Sequence, residues 1–148
     1  MMNIQPGGRI SETALAITRG VCRHLFDLGY EPLTEFQLKG GRRVDIAAID
    51  EKGRFIVVEV KSSIQDFRSD GKWQDYLPHC DAFYFAVNEE FPLDILPGDC
   101  GILVADPFAA AIIREAPDAG MNAARRKHQT LRFARAAAGR LRRAMLGI

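Results

Sequence analysis

The sequence has few of the features that mark a disulfide-rich, zinc-binding or membrane-spanning protein. Its three cysteines are scattered and lack the close spacing of a metal site, which is typical of reduced thiols in an intracellular protein. The three histidines have no Cys or His partner at ligand spacing, so zinc is not expected. No stretch approaches the roughly 20 uninterrupted apolar residues of a membrane span. The first residues also lack the apolar core of a signal peptide, and we expect a cytoplasmic location and no membrane partner.

Phosphate-loop glycines and acidic residues near the carboxyl end are also missing. Gly40 and Gly41 do not belong to a complete phosphate-binding loop, so no nucleotide cofactor is expected. Residues 121–148 contain eight Lys or Arg and no acid, whereas the preceding 120 residues carry twelve basic and nineteen acidic side chains. A basic segment attached to an acidic body predicts contact with phosphates or with the body itself. The length of 148 residues, with 47% hydrophobic and 26% charged residues, indicates one ordinary globular domain, 1–148.

The most informative stretch is a predicted β-hairpin between residues 42 and 61. Two runs rich in β-branched and apolar residues flank the turn 51–53, whose Gly53 is able to adopt the left-handed conformation. A three-residue loop would pair residues 50 and 54, and it would then place Asp45 directly opposite Glu59. Lys61 lies two residues beyond Glu59 and therefore points to the same face of the sheet. The hairpin is expected to gather two carboxylates and one ammonium group.

Two like charges opposite each other destabilise a sheet, and an apolar environment increases their repulsion. A divalent cation would relieve this cost, since Mg²⁺ is commonly held by one or two carboxylates, waters and substrate phosphates. The alternative is a solvent-facing ion pair between Asp45 and Lys61. The apolar neighbours Ile49, Phe55 and Val57 on the same face favour burial instead.

These residues carry a family resemblance. An Asp followed, after a hairpin turn, by Glu59-Val60-Lys61 resembles the PD-(D/E)XK nuclease signature, with Val44-Asp45 where that family often has Pro-Asp. Further segments resemble the MmcB-type bacterial DNA repair proteins of the same superfamily over nearly the whole chain: 19–21, 44–46, 59–63, 70–73 with Tyr76, and 80–87.

The resemblance implies roles for several residues. Asp45 and Glu59, helped by the carbonyl of Val60, would hold Mg²⁺ or Mn²⁺, and Lys61 would position and activate the attacking water. Glu12 on the first helix is a candidate for the metal shell, although a surface carboxylate that favours the helix dipole explains it equally well. Other members place a Lys or Gln near the substrate phosphate, and Lys72 and Gln74 are the candidates here.

The remaining elements are predicted from periodicity and punctuation. Residues 1–9 are expected to be a loose N-terminal arm, and Ser11 caps a helix over 12–28 that ends at Gly29. Strands are expected over 33–38, 82–87 and 101–106, with an interrupted helix over 64–77 that Pro78 ends. Residues 108–115 fit either an edge strand or a short helix. Trp73 and Tyr76 fit either base stacking or the core.

A long helix is predicted from Met121 to Met145. Its apolar stripe recurs every seven residues and is expected to dock on the body or on a partner helix: Ala124, Leu131, Ala134, Ala138, Leu141 and Met145. The surrounding basic residues are expected to contact DNA phosphates, the candidates being Arg125, Arg126, Lys127 and Arg132.

The sequence therefore predicts an α/β protein with a restriction-endonuclease-like core, a mixed β-sheet flanked by helices, and a long basic C-terminal helix. The predicted function is that of a Mg²⁺- or Mn²⁺-dependent DNA endonuclease in DNA repair, acting on a DNA structure rather than a sequence. Two alternatives stay open: a non-catalytic DNA-binding or adaptor protein that keeps the nuclease fold, and a nuclease acting on RNA. DNA is the expected partner, together with a repair protein or a second copy of the chain.

Overall fold

The computed structural model describes residues 4–5 and 9–148. Two short N-terminal strands, β1 (Ile4–Gln5) and β2 (Arg9–Ile10), pair with each other outside the main sheet. The main sheet consists of β3 (Glu31–Gln37), β4 (Arg43–Ile49), β5 (Phe55–Val60), β6 (Ala82–Val87), β7 (Gly101–Ala105) and β8 (Ala110–Arg114), which lie in this order. The outer pairs are antiparallel, and β5, β6 and β7 run parallel in the centre. The predicted α/β class with a mixed sheet flanked by helices is confirmed.

The hairpin β4–β5 has the predicted register. Ile46 pairs with Val58 and Ile49 with Phe55, and the Asp50 amide donates to the Arg54 carbonyl at 3.1 Å. Gly53 has a φ of +83°, the left-handed conformation that the three-residue loop requires. Continuing this register by one residue brings Asp45 opposite Glu59.

Helix α1 (Glu12–Asp27) covers one face of the sheet. Ser11 caps it by accepting from the Ala14 amide, and the buried face of the helix includes Ala14, Ile17, Val21 and Leu25. Gly20 is required where the helix crosses the β7–β8 turn. A Cβ there would lie 2.0 Å from the Asp106 carbonyl oxygen and 2.6 Å from that of Ala109. The absence of a side chain at this position allows α1 to lie directly against the edge of the sheet.

The opposite face is covered by α2 (Ile64–Ser69), a 3-10 helix (Trp73–His79) and α3 (Ala123–Leu146). The predicted interruption near residues 69–71 separates α2 from the 3-10 helix, but Pro78 lies inside the latter rather than ending it. Trp73 stacks on Phe83 with ring centroids 5.5 Å apart, and both Trp73 and Tyr76 are buried. Their place is therefore the core, and base stacking is not supported.

The structure bears on two further predictions, those for residues 108–115 and for the N-terminal arm. Residues within 108–115 form the edge strand β8, antiparallel to β7. The predicted loose arm over 1–9 is partly wrong, since β1 (Ile4–Gln5) and β2 (Arg9–Ile10) pair as a short antiparallel ribbon. Residues 1–3 and 6–8 of that arm lie outside the described part of the chain.

Helix α3 docks on the body, but through a different face from the one predicted. Leu131, Leu141 and Met145 of the apolar stripe are 56%, 59% and 72% exposed. The buried contact is made by Phe133, whose ring lies 5.6 Å from Phe36 and 5.9 Å from Phe55. One aromatic ring buries more area than the small alanines that make up half of the stripe. Neither α3 nor any other described helix is both long and apolar enough to cross a membrane.

Arginines on the docked face of α3 donate to main-chain carbonyls of the sheet. Arg126 reaches Gly53, Arg132 reaches Gln37 and Leu38, and Arg140 reaches Thr34 and Glu35. The guanidinium groups thus satisfy carbonyls of β3 and of the turns that precede and follow β4. A pattern that counts arginine as a solvent-facing residue misses this docking mode.

Candidate active site

Asp45 and Glu59 form a reciprocal cross-strand pair at the end of the β4–β5 hairpin. The Asp45 amide donates to Glu59 Oε1 at 2.9 Å, and the Val60 amide donates to Asp45 Oδ2 at 2.8 Å. Both side chains are 0% exposed. Each carboxylate is thus oriented by a main-chain amide of the neighbouring strand, and the two charges lie side by side in the protein interior.

The electrostatic consequence is a rise in both carboxyl pKa values. Burial raises the pKa of Asp45, and the negative charges of Glu59 and Glu35 raise it further, although the Val60 amide opposes them. Burial likewise raises the pKa of Glu59, against the Asp45 amide and the positive charge of Lys61. Such an environment favours a bound proton or a bound cation near the pair.

Lys61 completes this cluster. It is 1% exposed, and its amide donates to the Ala86 carbonyl at 2.9 Å, which fixes the strand end. Its ammonium donates to Asp70 Oδ2 at 2.7 Å. Burial raises the pKa of Asp70, but the hydrogen bond and charge of Lys61 outweigh it, and the pKa is lowered overall. The Lys61 side chain is therefore fixed by Asp70, and its charge reaches Glu59 of the carboxylate pair.

Asp70 and Glu35 were missed by the sequence interpretation. Asp70 lies in the interruption between α2 and the 3-10 helix, where an acid two residues before Lys72 could have been recognised as a turn residue. Glu35 lies opposite Asp45 on β3, in the register set by Thr34 with Ile46 and Phe36 with Val44. It has a φ of +50°, an uncommon conformation for a residue with a side chain. The turn at 39–41 would have given that register.

The donor set fits a hard divalent cation that keeps part of its water shell. Two carboxylates side by side are typical of Mg²⁺ sites, which take one or two protein carboxylates and complete the shell with water and phosphate oxygens. Within the described part of the chain, no group of three or more His, Cys, Asp or Glu side chains is arranged to hold a metal ion. A fully protein-built site of the zinc type is thus not present among those residues.

The other predicted site residues are not gathered at the pair. Glu12 is exposed in the first turn of α1, and α1 packs on the sheet face opposite to Asp45 and Glu59. Lys72 and Gln74 are exposed at the start of the 3-10 helix, next to Asp70 in sequence. The Lys72 amide donates to Asp70 Oδ1 at 3.2 Å, which links this residue to the partner of Lys61.

The predicted phosphate-contacting residues of α3 divide into two groups. Arg126 donates to the two carboxylate oxygens of Asp81 from Nη1 and Nη2, at 2.8 and 2.6 Å. Arg132 donates to the Leu38 carbonyl just after β3. Arg125 and Lys127 are exposed. The geometry therefore assigns Arg126 to an internal ion pair, which the sequence does not indicate because Asp81 and Arg126 lie 45 positions apart.

Comparisons with known proteins agree with this architecture. The family model described as DNA repair protein MmcB-like matches residues 2–147. A solved protein of unknown function from Silicibacter pomeroyi is 41% identical, covers 93% of this chain and 94% of its own, and superposes with a TM-score of 0.89. A repair endonuclease from Pyrococcus abyssi is 16% identical over 49% of this chain and 38% of its own, with a TM-score of 0.33. The search of curated proteins found no match.

Proposed function

The chain belongs to the MmcB-like family of DNA repair proteins, and we propose that it is a metal-dependent DNA endonuclease that acts on a particular DNA structure. The single observation that carries the proposal is the buried Asp45–Glu59 pair beside Lys61. Three ionisable side chains buried together at a strand end are costly to the fold. Such a cost is characteristic of functional sites rather than of structural ones.

The chain's own residues supply the following chemistry. Asp45 and Glu59, with the Val60 carbonyl, would hold Mg²⁺ or Mn²⁺. When bound, such an ion supplies Lewis acidity toward the scissile phosphate. The Lys61 side chain, which Asp70 binds at 2.7 Å, would position and activate the attacking water and stabilise negative charge developing on the phosphate.

Burial of the cluster supports this assignment. A cation 1% exposed in a low-dielectric surrounding interacts more strongly with a developing charge than a solvated cation does. Asp70 would fix the Lys61 rotamer before substrate binds. Lys72 and Gln74, which are exposed and follow Asp70 in sequence, would contact the DNA backbone.

A non-catalytic DNA-binding adaptor is the second candidate function. The observation that favours it is the apolar stripe of α3, in which Leu131, Leu141 and Met145 are more than half exposed. An adaptor would bind a repair partner there and would not require the Asp45–Glu59 pair. The two candidates are separated by the requirement for metal and for Lys61.

The deciding experiment is cleavage of labelled duplex, nicked, flapped, four-way and single-stranded DNA with Mg²⁺, Mn²⁺ or EDTA, alongside a matched RNA. We expect metal-dependent cutting of one structure by the wild type. Lys61→Ala should lower the rate by about 100- to 1000-fold, in the range found when a charge-stabilising donor is removed.

The matched control is Lys52→Ala, which removes an exposed lysine in the β4–β5 turn and should leave cleavage unchanged. Cutting that survives in EDTA or in Lys61→Ala would contradict the proposed chemistry. Salt-sensitive DNA binding without cleavage by any variant would favour the adaptor.

A further inference from the structure

A cleft of about 650 Å³ lies between the first half of α3 and the 3-10 helix, on the sheet face that carries Asp45 and Glu59. We call it the basic cleft, because four basic side chains line it: Lys39, Arg125, His128 and Arg132. None of the described lining residues is an Asp or a Glu. A cleft of that volume accommodates a ligand of nucleotide size.

The four basic side chains come from two sides of the cleft. Arg125, His128 and Arg132 recur along one side of α3, at spacings of three and four residues. Lys39 faces them from the β3–β4 turn, and Arg132 is tied to that turn through the Leu38 carbonyl at 3.2 Å. Arg125 approaches His79 Nε2 at 3.5 Å. The four side chains are therefore held near one another by separate elements, although the positive charges of Lys39, Arg125 and Arg132 repel one another.

The cleft also has an apolar side, formed by Leu77, Pro78 and Met121. An inorganic anion or a peptide phosphate would use the cations and leave this side uncovered. A nucleotide has both parts, since its phosphate would meet the cations and its base would cover apolar surface.

The 3-10 helix connects the cleft with the candidate active site. Leu77 and Pro78, in the second half of this helix, line the cleft. Asp70, which binds the Lys61 ammonium nitrogen at 2.7 Å, lies just before the helix begins at Trp73. The cleft and the partner of Lys61 therefore lie at the two ends of one short element.

We propose that the basic cleft holds a single-stranded segment of the DNA substrate, with phosphates on Arg125, His128, Arg132 and Lys39 and one base against Leu77, Pro78 and Met121. The identity of the ligand as DNA rests on the proposed function. The cleft thus grips a displaced or unpaired strand beside the site of cleavage. Arg126, tied to Asp81, takes no part.

The test is fluorescence anisotropy of a labelled single-stranded oligonucleotide with the full chain in EDTA, so that binding is measured without cleavage. Arg125→Ala/His128→Ala should weaken binding by about tenfold near physiological salt. The slope of log affinity against log salt should become shallower by about 0.7 for each phosphate that the protein no longer neutralises. Lys39→Ala should weaken binding in the same direction from the opposite side of the cleft.

The matched control is Arg135→Ala/Arg143→Ala, which removes two exposed cations from the same helix outside the cleft. It should change the affinity less than twofold. Equal weakening by both double variants would overturn the proposal in favour of a diffuse basic helix, and unchanged affinity in both would overturn it as well.

An abasic oligonucleotide of equal length tests whether the bases contribute to the affinity in addition to the phosphates. Wild type should bind it more weakly than the normal strand, and equal affinity would overturn base binding. Because EDTA removes cleavage, intact cleft binding in a protein that cuts nothing would refute the nuclease while supporting the cleft. If the protein cleaves DNA while Arg125→Ala/His128→Ala binds the oligonucleotide as tightly as the wild type, the cleft proposal is refuted and the nuclease proposal stands.

Discussion

Two buried aspartates at opposite ends of the central strands show how different environments give one residue type different roles. Asp81 precedes β6 and is 3% exposed; it accepts hydrogen bonds from the amides of Phe55 and Met121 and from both guanidinium nitrogens of Arg126. Asp45 on β4 is 0% exposed and lies beside a second carboxylate, Glu59.

The pKa shifts of these two aspartates have opposite directions. Burial raises the pKa of Asp81, but the hydrogen bonds and charge of Arg126 and the two amides outweigh burial and hold the pKa far below its usual range. Burial and Glu59 raise that of Asp45. A buried acid that is fully neutralised by its partners joins elements of the fold. A buried acid beside another acid favours a proton or a cation, which is the property of a binding site.

The largest effect is expected from breaking the Asp81 centre. Asp81→Ala should lower the free energy of unfolding by about 3–5 kcal/mol, because it removes the carboxylate that pairs with the Arg126 guanidinium and leaves the amides of Phe55 and Met121 without their acceptor. Chemical denaturation measures the change. Asp118→Ala removes an exposed carboxylate that pairs with Arg54 near the same end of the sheet, and it should cost no more than about 1 kcal/mol. Equal destabilisation by the two variants would remove the distinction.

The next effect concerns metal binding at the Asp45 centre. If Mg²⁺ binds the folded chain, a concentration of 100 times its dissociation constant should stabilise the wild type by about 2.7 kcal/mol. Asp45→Asn should lose this gain, and Asp81→Asn should retain it even though it is less stable. Thermal unfolding with and without Mg²⁺ measures both. A gain that persists in Asp45→Asn would place the ion elsewhere.

Without metal, Asp45→Asn should raise the free energy of unfolding by on the order of 1 kcal/mol at neutral pH, because it removes one of two adjacent buried charges. Asn retains an oxygen able to accept from the Val60 amide, so the strand end is preserved. Asp75→Asn, in an exposed pair with Arg42, is the control and should be close to neutral. Destabilisation by Asp45→Asn would show that the charge pair supports the fold.

The smallest effect is the pH dependence of the stability changes that Asp81→Ala and Asp45→Asn cause. The lowered pKa of Asp81 contributes stability that is present above the unfolded value of about 4 and is lost as pH falls below it. The raised pKa of Asp45 has the opposite sign, so the benefit of Asp45→Asn should shrink as pH falls from neutral toward about 4. Denaturation at pH values of about 7, 5 and 3.5, which span this range, tests both. If the stability changes of Asp81→Ala and Asp45→Asn depended on pH in the same way, the opposite directions of the two pKa shifts would be contradicted.

Local chemistry was enough to predict the hairpin and the proximity of its buried ionisable residues. The turn ending in Gly53 set the register, and the period of two along β4 and β5 then placed Asp45, Glu59 and Lys61 on one face. The caps and apolar period of α1, and the apolar run of β6, were likewise sufficient because each depends on neighbours in sequence.

Only the tertiary structure decided the contacts between elements distant in sequence. The Lys61–Asp70 pair depends on how the chain turns after β5, and the Asp81–Arg126 pair joins residues 45 positions apart. The face by which α3 docks was decided by the fit of Phe133 between Phe36 and Phe55, which a seven-residue repeat does not encode. The sequence by itself determined which residues share a strand face, and therefore that Asp45 lies beside Glu59, since backbone geometry repeats locally. Three-dimensional packing alone decided which charges are neutralised by partners distant in sequence.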